Sequence, residues 1–379
     1  MVVTGVEPYA FTYPLNTPLP PSVTRPIAEK LDIHLVRVTT DTGLHGWGEA
    51  WLADEADFAP AVETLSELVT GHDPTDRGLL WYRMASVAAG REARDTGPQG
   101  RRDFHAVLSA IDTALWDIVG KALGVSVARL LGGVRSPRLD TYVTGLYLEP
   151  EAVLVQKAKQ IVAEGFRGIK MKLRGDLEAD VAAVRAVRAA LGNQVVLMAD
   201  ANGAYDGCET VLELGLALAK DDIYWLEEPF KAGAWGDYAR VARALEPPIA
   251  GGETLYSTEV FHEAITAGAM HVAMPDPRLC GGITAARTIC EVAAMRQVRV
   301  SFHNWVSPVA LMASANVSAA MPYAERLELE GSRTGLAAAM LTEPPVFEQG
   351  FMRFEDKPGL GMDVAEAFIS EYGRDIVES

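Results

Sequence analysis

The sequence predicts an α/β chain: a (β/α)8-type barrel with an N-terminal α+β capping domain, completed by the C-terminal tail. Three observations carry this. Between about Leu139 and Glu328, eight short strand-like runs recur with helical stretches between them. Residues before about 125 read instead as a hairpin followed by helices, an α+β layer. After Gly331 the alternation stops. The segments are thus 1–125 as the capping or lid domain, 126–330 as the barrel, and 331–379 packing back on the cap.

In the first segment, EKLDIHLVRVTT alternates like a strand, turns at Asp41-Thr42-Gly43, and returns through LHGWGEAW. A helical tract runs from about Asp54 to Val69, and a stretch rich in Gly, Arg and Asp covers 90–103. In FHAVLSAIDTALWDIVGKALG, Val107, Ile111, Ala114, Leu115 and Ile118 recur at spacings of three and four, so one helix face is buried. The barrel strands are predicted at Leu139–Thr144, Gly168–Lys172, Val195–Asp200, Ile223–Glu227, Ile249–Glu253, His271–Asp276, Val298–His303 and Leu327–Glu328. Helices such as DLEADVAAVRAVRAALG close with Gly, a common C-terminal stop. A doubly wound open sheet is the architectural alternative.

Composition narrows the function. Acidic residues number 51 against 34 basic ones, a net charge of −17, which disfavours a nucleic-acid partner because phosphate binding needs a basic face. No apolar run reaches the ~20 residues of a membrane-spanning helix, and the N-terminus lacks a secretory pattern, so a cytoplasmic location is expected. The 3 cysteines have no CxxC spacing, which argues against a disulfide framework and a structural zinc site.

The chemistry lies at the strand ends. Strand two ends in Lys170-Met171-Lys172, three in Asp200-Ala201-Asn202, four in Glu227-Glu228-Pro229, five in Gly252-Glu253, six in Pro275-Asp276, seven in His303 and eight in Glu328. In a barrel these ends form one mouth. One charge after a strand is usually a solvated loop residue; seven in succession are not explained that way. Asp200, Glu227 and Glu253 would repel one another unless a hard divalent cation lay among them, and the all-oxygen set points to Mg²⁺ or Mn²⁺ over zinc. Strand alternation lets only one of Glu227 and Glu228 face that cation, and Glu227 is assigned. Lys170 and Lys172 are two apart and point the same way, each lowering the other's pKa toward a competent base. Asp276 and His303 end adjacent strands, so a hydrogen bond between them would fix the imidazole tautomer.

These residues, with GWGEA and AIDTALWDIVGKALG…LLGG upstream, resemble the mandelate racemase subgroup of the enolase superfamily over nearly the whole chain. The KxK, DAN, EEP, GGE, PD and H elements occur in family-like order. The resemblance implies one Mg²⁺ on Asp200, Glu227 and Glu253, with Lys172 as base on one face of a small carboxylate substrate and Lys170 contacting the carboxylate. It implies His303, oriented by Asp276, as base or acid on the other face. A protonated Glu328 would bond a carboxylate oxygen, and Asn202 a substrate hydroxyl. It also implies a homo-oligomer, and a lid built from the loop near Leu15–Arg25 and the region around Trp51. Tyr13, Arg25, Trp51, Arg101 and Arg102 are candidate substrate contacts. Muconate-lactonising and dipeptide-epimerase members carry a lysine at the end of strand six. Here MPDPRLCGG puts Asp276 there, which argues against amino-acid-derived substrates.

The leading reading is dehydration of an acid sugar to a 2-keto-3-deoxy acid. The alternatives are a racemase or epimerase of a 2-hydroxy acid, or a cycloisomerase of a sugar-acid lactone, whose members the segment Arg299–Trp305 with the earlier GGET also resembles. A non-catalytic, metal-stabilised binding protein on the same fold is the reading from another class.

Overall fold

A computed structural model describes residues 1–90, 97–305, 307–331 and 335–376, and of residues 97–101 only the helical backbone. Much of the Gly-, Arg- and Asp-rich stretch 90–103, and the side chain of Arg101, lie outside the described residues. The chain opens with an antiparallel sheet of β1 (Val3–Leu19), β2 (Ala28–Thr40) and β3 (His45–Ala50), in which β2 and β3 form the expected hairpin. Helices α1 (Phe58–Val69), α2 (Arg77–Gly90) and α3 (Gly97–Leu123) cover that sheet, and the short α4 (Val127–Leu130) leads away from it. The face of α3 read from the sequence, Val107, Ile111, Ala114, Leu115 and Ile118, is fully buried against Val36, Val38, Phe58 and Leu65.

Strand and helix then alternate: β4 (Arg138–Leu146), α5 (Glu151–Ala163), β5 (Gly168–Lys172), α6 (Leu177–Leu191), β6 (Val196–Asp200), α7 (Cys208–Ala219), β7 (Ile223–Glu227) and α8 (Trp235–Ala244). The series continues with β8 (Ile249–Gly251), α9 (Thr258–Thr266), β9 (Val272–Ala273), α10 (Gly282–Met295), β10 (Arg299–Val300), α11 (Pro308–Ala320) and β11 (Leu327–Glu330). β4 to β10 pair in parallel in chain order. β11 returns to pair in parallel with β4, and β10 meets the chain just ahead of β11 through a parallel bridge between Val300 and Ala324. Each strand-like run of the sequence thus supplies one stave, although β8, β9 and β10 are shorter than the alternation predicts.

The helices have local causes. Asp176, Ser257 and Ser307 cap α6, α9 and α11 by accepting backbone N–H groups three residues on. α11 is largely apolar on every side because it is enclosed: every residue from Pro308 to Ala319 is buried, Ser314, Asn316 and Ser318 included.

The tail divides between both layers. α12 (Leu336–Met340) precedes a hairpin of β12 (Phe347–Glu348) and β13 (Phe351–Arg353), and β13 pairs antiparallel with the start of β4. α13 (Glu366–Tyr372) and β14 (Gly373–Arg374) join the N-terminal sheet, where Phe368 packs on Phe11 at 5.1 Å and β14 pairs with β1. Cys208, Cys280 and Cys290 are buried and free. Among the described residues no helix is long and apolar enough to cross a membrane.

Inside the barrel, Tyr142, Met198, Trp225, Ala250, Val272 and Met274 form a plug. Side chains alternate in strands, so two residues further on several staves deliver a polar group above the plug. Tyr142 is followed by Thr144, Met198 by Asp200, and Trp225 by Glu227.

Candidate active site

The register of β7 separates two adjacent glutamates. Trp225 points into the plug, so Glu227 also points inward, and the Trp225 indole donates to Glu227 Oε2 at 3.0 Å. Glu228 adopts a left-handed φ of 40° where the strand ends, and its Oε1 accepts the Gly252 N–H at 3.1 Å. Gly252 itself has φ 113°, and a Cβ there would lie 2.8 Å from the Phe261 ring. Only glycine permits this turn, which carries Glu253 into the mouth.

Asp200, Glu227 and Glu253 are all buried, with one oxygen of each within 4.8 Å of the others. Their surroundings fit a cation. Glu253 Oε2 and Asn202 Oδ1 are buried without a hydrogen-bond partner, although His303 Nε2 lies 3.4 Å from Glu253 Oε2. The buried acids Asp200, Glu227, Glu228, Glu253 and Glu328 face the ammonium groups of Lys170 and Lys172, with the His303 imidazole beside Glu253. A surplus of negative charge in a buried mouth is costly, and a divalent ion removes most of it. The donors are all oxygen, so Asp200, Glu227 and Glu253 could hold a hard metal ion.

The two lysines differ. Lys170 is fully buried, with Nζ 2.6 Å from Glu227 Oε1, 2.9 Å from Glu328 Oε1 and 3.5 Å from Asp200 Oδ2, above the Tyr142 ring. Lys172 keeps a little exposure and contacts Asp200 Oδ2 at 2.5 Å. Burial and Lys170 both lower the Lys172 pKa, as the sequence predicts, but Asp200, Glu253 and Glu227 outweigh them and the net shift is upward. Burial would raise Asp200 too, yet Lys172 and Lys170 hold its carboxyl down at about 2. Burial and Asp200 push Glu227 well above the usual carboxylate range, and burial with Glu253 pushes Glu228 up to about 8.

Glu328 departs from its expected protonated state. Burial raises its pKa, but Lys170, His303 and Lys172 bring it to about 2, and it accepts hydrogen bonds from the Thr144 hydroxyl and the Asn304 N–H. It is therefore an ionised acceptor that anchors Lys170. Asn202, at φ 46°, donates from Nδ2 to Glu253 Oε1 at 3.3 Å and from its backbone to Asp200 Oδ1 at 2.9 Å.

Across the mouth, Asp276 Oδ2 lies 2.8 Å from His303 Nδ1. Burial favours the neutral forms of both, but Arg278 and His303 hold Asp276 far below the usual carboxylate range, while Glu253 and Asp276 raise His303. Trp51 stacks on the His303 ring at 5.3 Å. Arg102 lies over Trp51 at 4.9 Å, and Arg25 lies over Trp305 at 5.1 Å and Tyr147 at 5.8 Å. Tyr13 packs instead on Phe368 and Tyr372 of α13, with centroids at 6.2 and 5.1 Å. Sequence reasoning missed Thr144, Trp225 and Asn304. Strand period two could have found the first two, since each lies on the inward register of its strand.

Two family models and several known proteins match most of this chain. Residues 153–368 match the family described as "Enolase C-terminal domain-like", and residues 10–132 match "Mandelate racemase / muconate lactonizing enzyme, N-terminal domain". The chain is 31% identical to a D-galactarolactone cycloisomerase from Agrobacterium fabrum, over 98% of this chain and 99% of that one. It is 31% identical to a D-galactonate dehydratase from Verminephrobacter eiseniae, over 90% and 91% of the two chains. A racemase from Streptomyces coelicolor, solved with bound magnesium, superposes with a TM-score of 0.87 at 27% identity, covering 98% and 100% of the two chains. The protein is a member of the mandelate racemase/muconate lactonizing enzyme family of the enolase superfamily.

Proposed function

We propose that this protein removes the proton next to the carboxylate of an acid sugar and expels the oxygen on the adjoining carbon, using Mg²⁺ held by Asp200, Glu227 and Glu253. The observation that carries the reading is a nitrogen base on either side of a buried carboxylate triad: Lys172 Nζ at 2.5 Å from Asp200 and His303 Nε2 at 3.4 Å from Glu253. A purely binding role needs no such pair.

Lys172, the more accessible lysine, takes the α-proton. The carbanion's charge spreads onto the carboxylate oxygens, and Lys170 holds positive charge beside them. A bound divalent cation supplies further positive charge there and offsets the carboxylate field that keeps Lys172 protonated. His303 donates its Nε2 proton to the departing β-oxygen while Asp276 holds Nδ1. In dehydration the β C–O bond breaks, water leaves, and the enol tautomerises to a 2-keto-3-deoxy acid. The dehydratase relative supports this as the leading reading.

Cycloisomerisation is the second reading, favoured by the nearly end-to-end likeness to the D-galactarolactone cycloisomerase. The first step is unchanged, and the leaving oxygen belongs to a lactone ring, so the product is an isomer. The test is incubation with Mg²⁺ and a panel of sugar acids, diacids and their lactones, read by semicarbazide absorbance and product mass. A keto acid lighter than its substrate by one water supports dehydration, and a keto acid of unchanged mass supports ring opening. No keto acid from any member, with no exchange of the α-proton in D₂O, overturns both.

A further inference from the structure

A second buried network adjoins the mouth and links the two layers. Asp276 is fully buried and both its oxygens are occupied. Oδ1 accepts from the Arg278 N–H at 2.8 Å and from Arg278 Nε at 3.0 Å. Oδ2 accepts from Arg278 Nη2 at 2.6 Å and pairs with His303 Nδ1 at 2.8 Å. Arg278 Nη1 reaches Glu49 Oε1 at 3.4 Å and the Trp305 carbonyl at 3.3 Å. Glu49 is on β3 of the capping sheet, and its other oxygen accepts the hydroxyl of Ser307, the residue that caps α11. The Arg278 carbonyl also accepts the Trp51 N–H at 3.4 Å, and the Arg278 guanidinium lies 5.1 Å from the Trp51 ring that covers His303.

His303 is therefore held at Nδ1 by Asp276 and on one ring face by Trp51, and Arg278 grips both. Among the described residues Lys172 has no such tie to the cap, and its ion pair is with Asp200 inside the barrel. We propose that Arg278 is the positioning residue of the His303–Asp276 unit, and that its ion pair with Glu49 makes this half of the site depend on the capping domain while the Lys172 half does not. A buried carboxylate left with one partner loses both its charge and its fixed direction. Arg278 prevents this, and the planar guanidinium bonds both Asp276 oxygens at once, which an ammonium cannot do.

The inference rests on the reading of His303 as the acid that serves the leaving oxygen. Two measurements on the full-length chain separate the fates of the two. The first needs no substrate: the proton NMR signal of the His303 Nδ1–H bonded to Asp276, assigned by its loss in His303→Asn. It is expected to vanish in Arg278→Met and to weaken in Arg278→Lys, with circular dichroism unchanged. The second uses Mg²⁺ in D₂O with the sugar acids, diacids and lactones on which the proposed function is tested. Arg278→Met is expected to lower keto-acid formation about 100-fold, with α-proton exchange within about threefold of the parent. Glu49→Gln, which keeps Arg278 in place, is expected to show the same split at about tenfold and serves if Arg278→Met does not fold.

Retention of the proton signal in a folded Arg278→Met variant overturns the inference. So does an equal loss of exchange and keto-acid formation, the mark of a merely structural role. If His303→Asn forms keto acid at the parental rate, or no acid or lactone reacts at all, the reading of His303 falls, while the proton signal still decides whether Arg278 positions the pair.

Discussion

Glu227 and Glu228 share a peptide bond and are both buried, yet their carboxylates meet different partners, because the strand register sends Glu227 toward Lys170 and the left-handed turn at its end sends Glu228 toward Gly252. Glu227→Gln is therefore expected to weaken Mg²⁺ binding at least about 100-fold, whereas Glu228→Gln leaves it within about tenfold, as measured by calorimetry. Lys170 and Lys172 separate in the same way. Lys172→Met should abolish turnover in a folded protein. Lys170→Met strands Glu227 and Glu328 without their cation and should cost about 3–5 kcal/mol of stability, read as a lowered denaturation midpoint. The shared direction of the two lysines was legible from period two alone. The protonation of Lys172 and Glu328 was not, because each is set by groups arriving from other strands.

Among the elements, β3 and α3 lie in close contact. A Cβ on Gly48 would fall 1.9 Å from the Ala110 carbonyl oxygen, so Gly48→Ala must separate strand from helix. The expected cost is about 3 kcal/mol, seen as a lower thermal midpoint. β3 is also clasped to the tail: Asp363 accepts the Trp47 indole N–H at 2.7 Å, pairs with His45 at 3.1 Å and lies 3.8 Å from Lys121. Burial would raise the Asp363 pKa, but these partners lower it from 3.8 to about 2. A depressed acid pKa stabilises the fold above the unfolded value and loses that effect as pH falls through the folded one. Asp363→Asn should thus cost about 1 kcal/mol at pH 7, after discounting for its partial exposure, and the difference should vanish between pH 4 and pH 2. The eight staves were legible because inward apolar and outward residues alternate. β1 was not, since Pro8, Pro14 and Pro18 interrupt its pattern and, among the described residues, β2 alone pairs along its length. β12, β13 and β14 are each two or three residues long, too short for any period to show.

For the molecule as a whole, a net charge of −17 argued only against an anionic polymer as partner. The buried acids of the mouth concentrate that charge where a cation can meet it. Mg²⁺ should consequently raise the thermal midpoint, by about 2.7 kcal/mol of stability at a hundredfold excess over its dissociation constant, and EDTA should reverse the rise. Metal, lysine and capped barrel are joined in a single claim, enolisation beside a carboxylate. Its most direct test is proton NMR of the acid-sugar and lactone panel in D₂O, following the signal at the carbon next to the carboxylate. The account predicts that this signal disappears only with Mg²⁺ and Lys172 both present. Exchange that survives EDTA or Lys172→Met would contradict it.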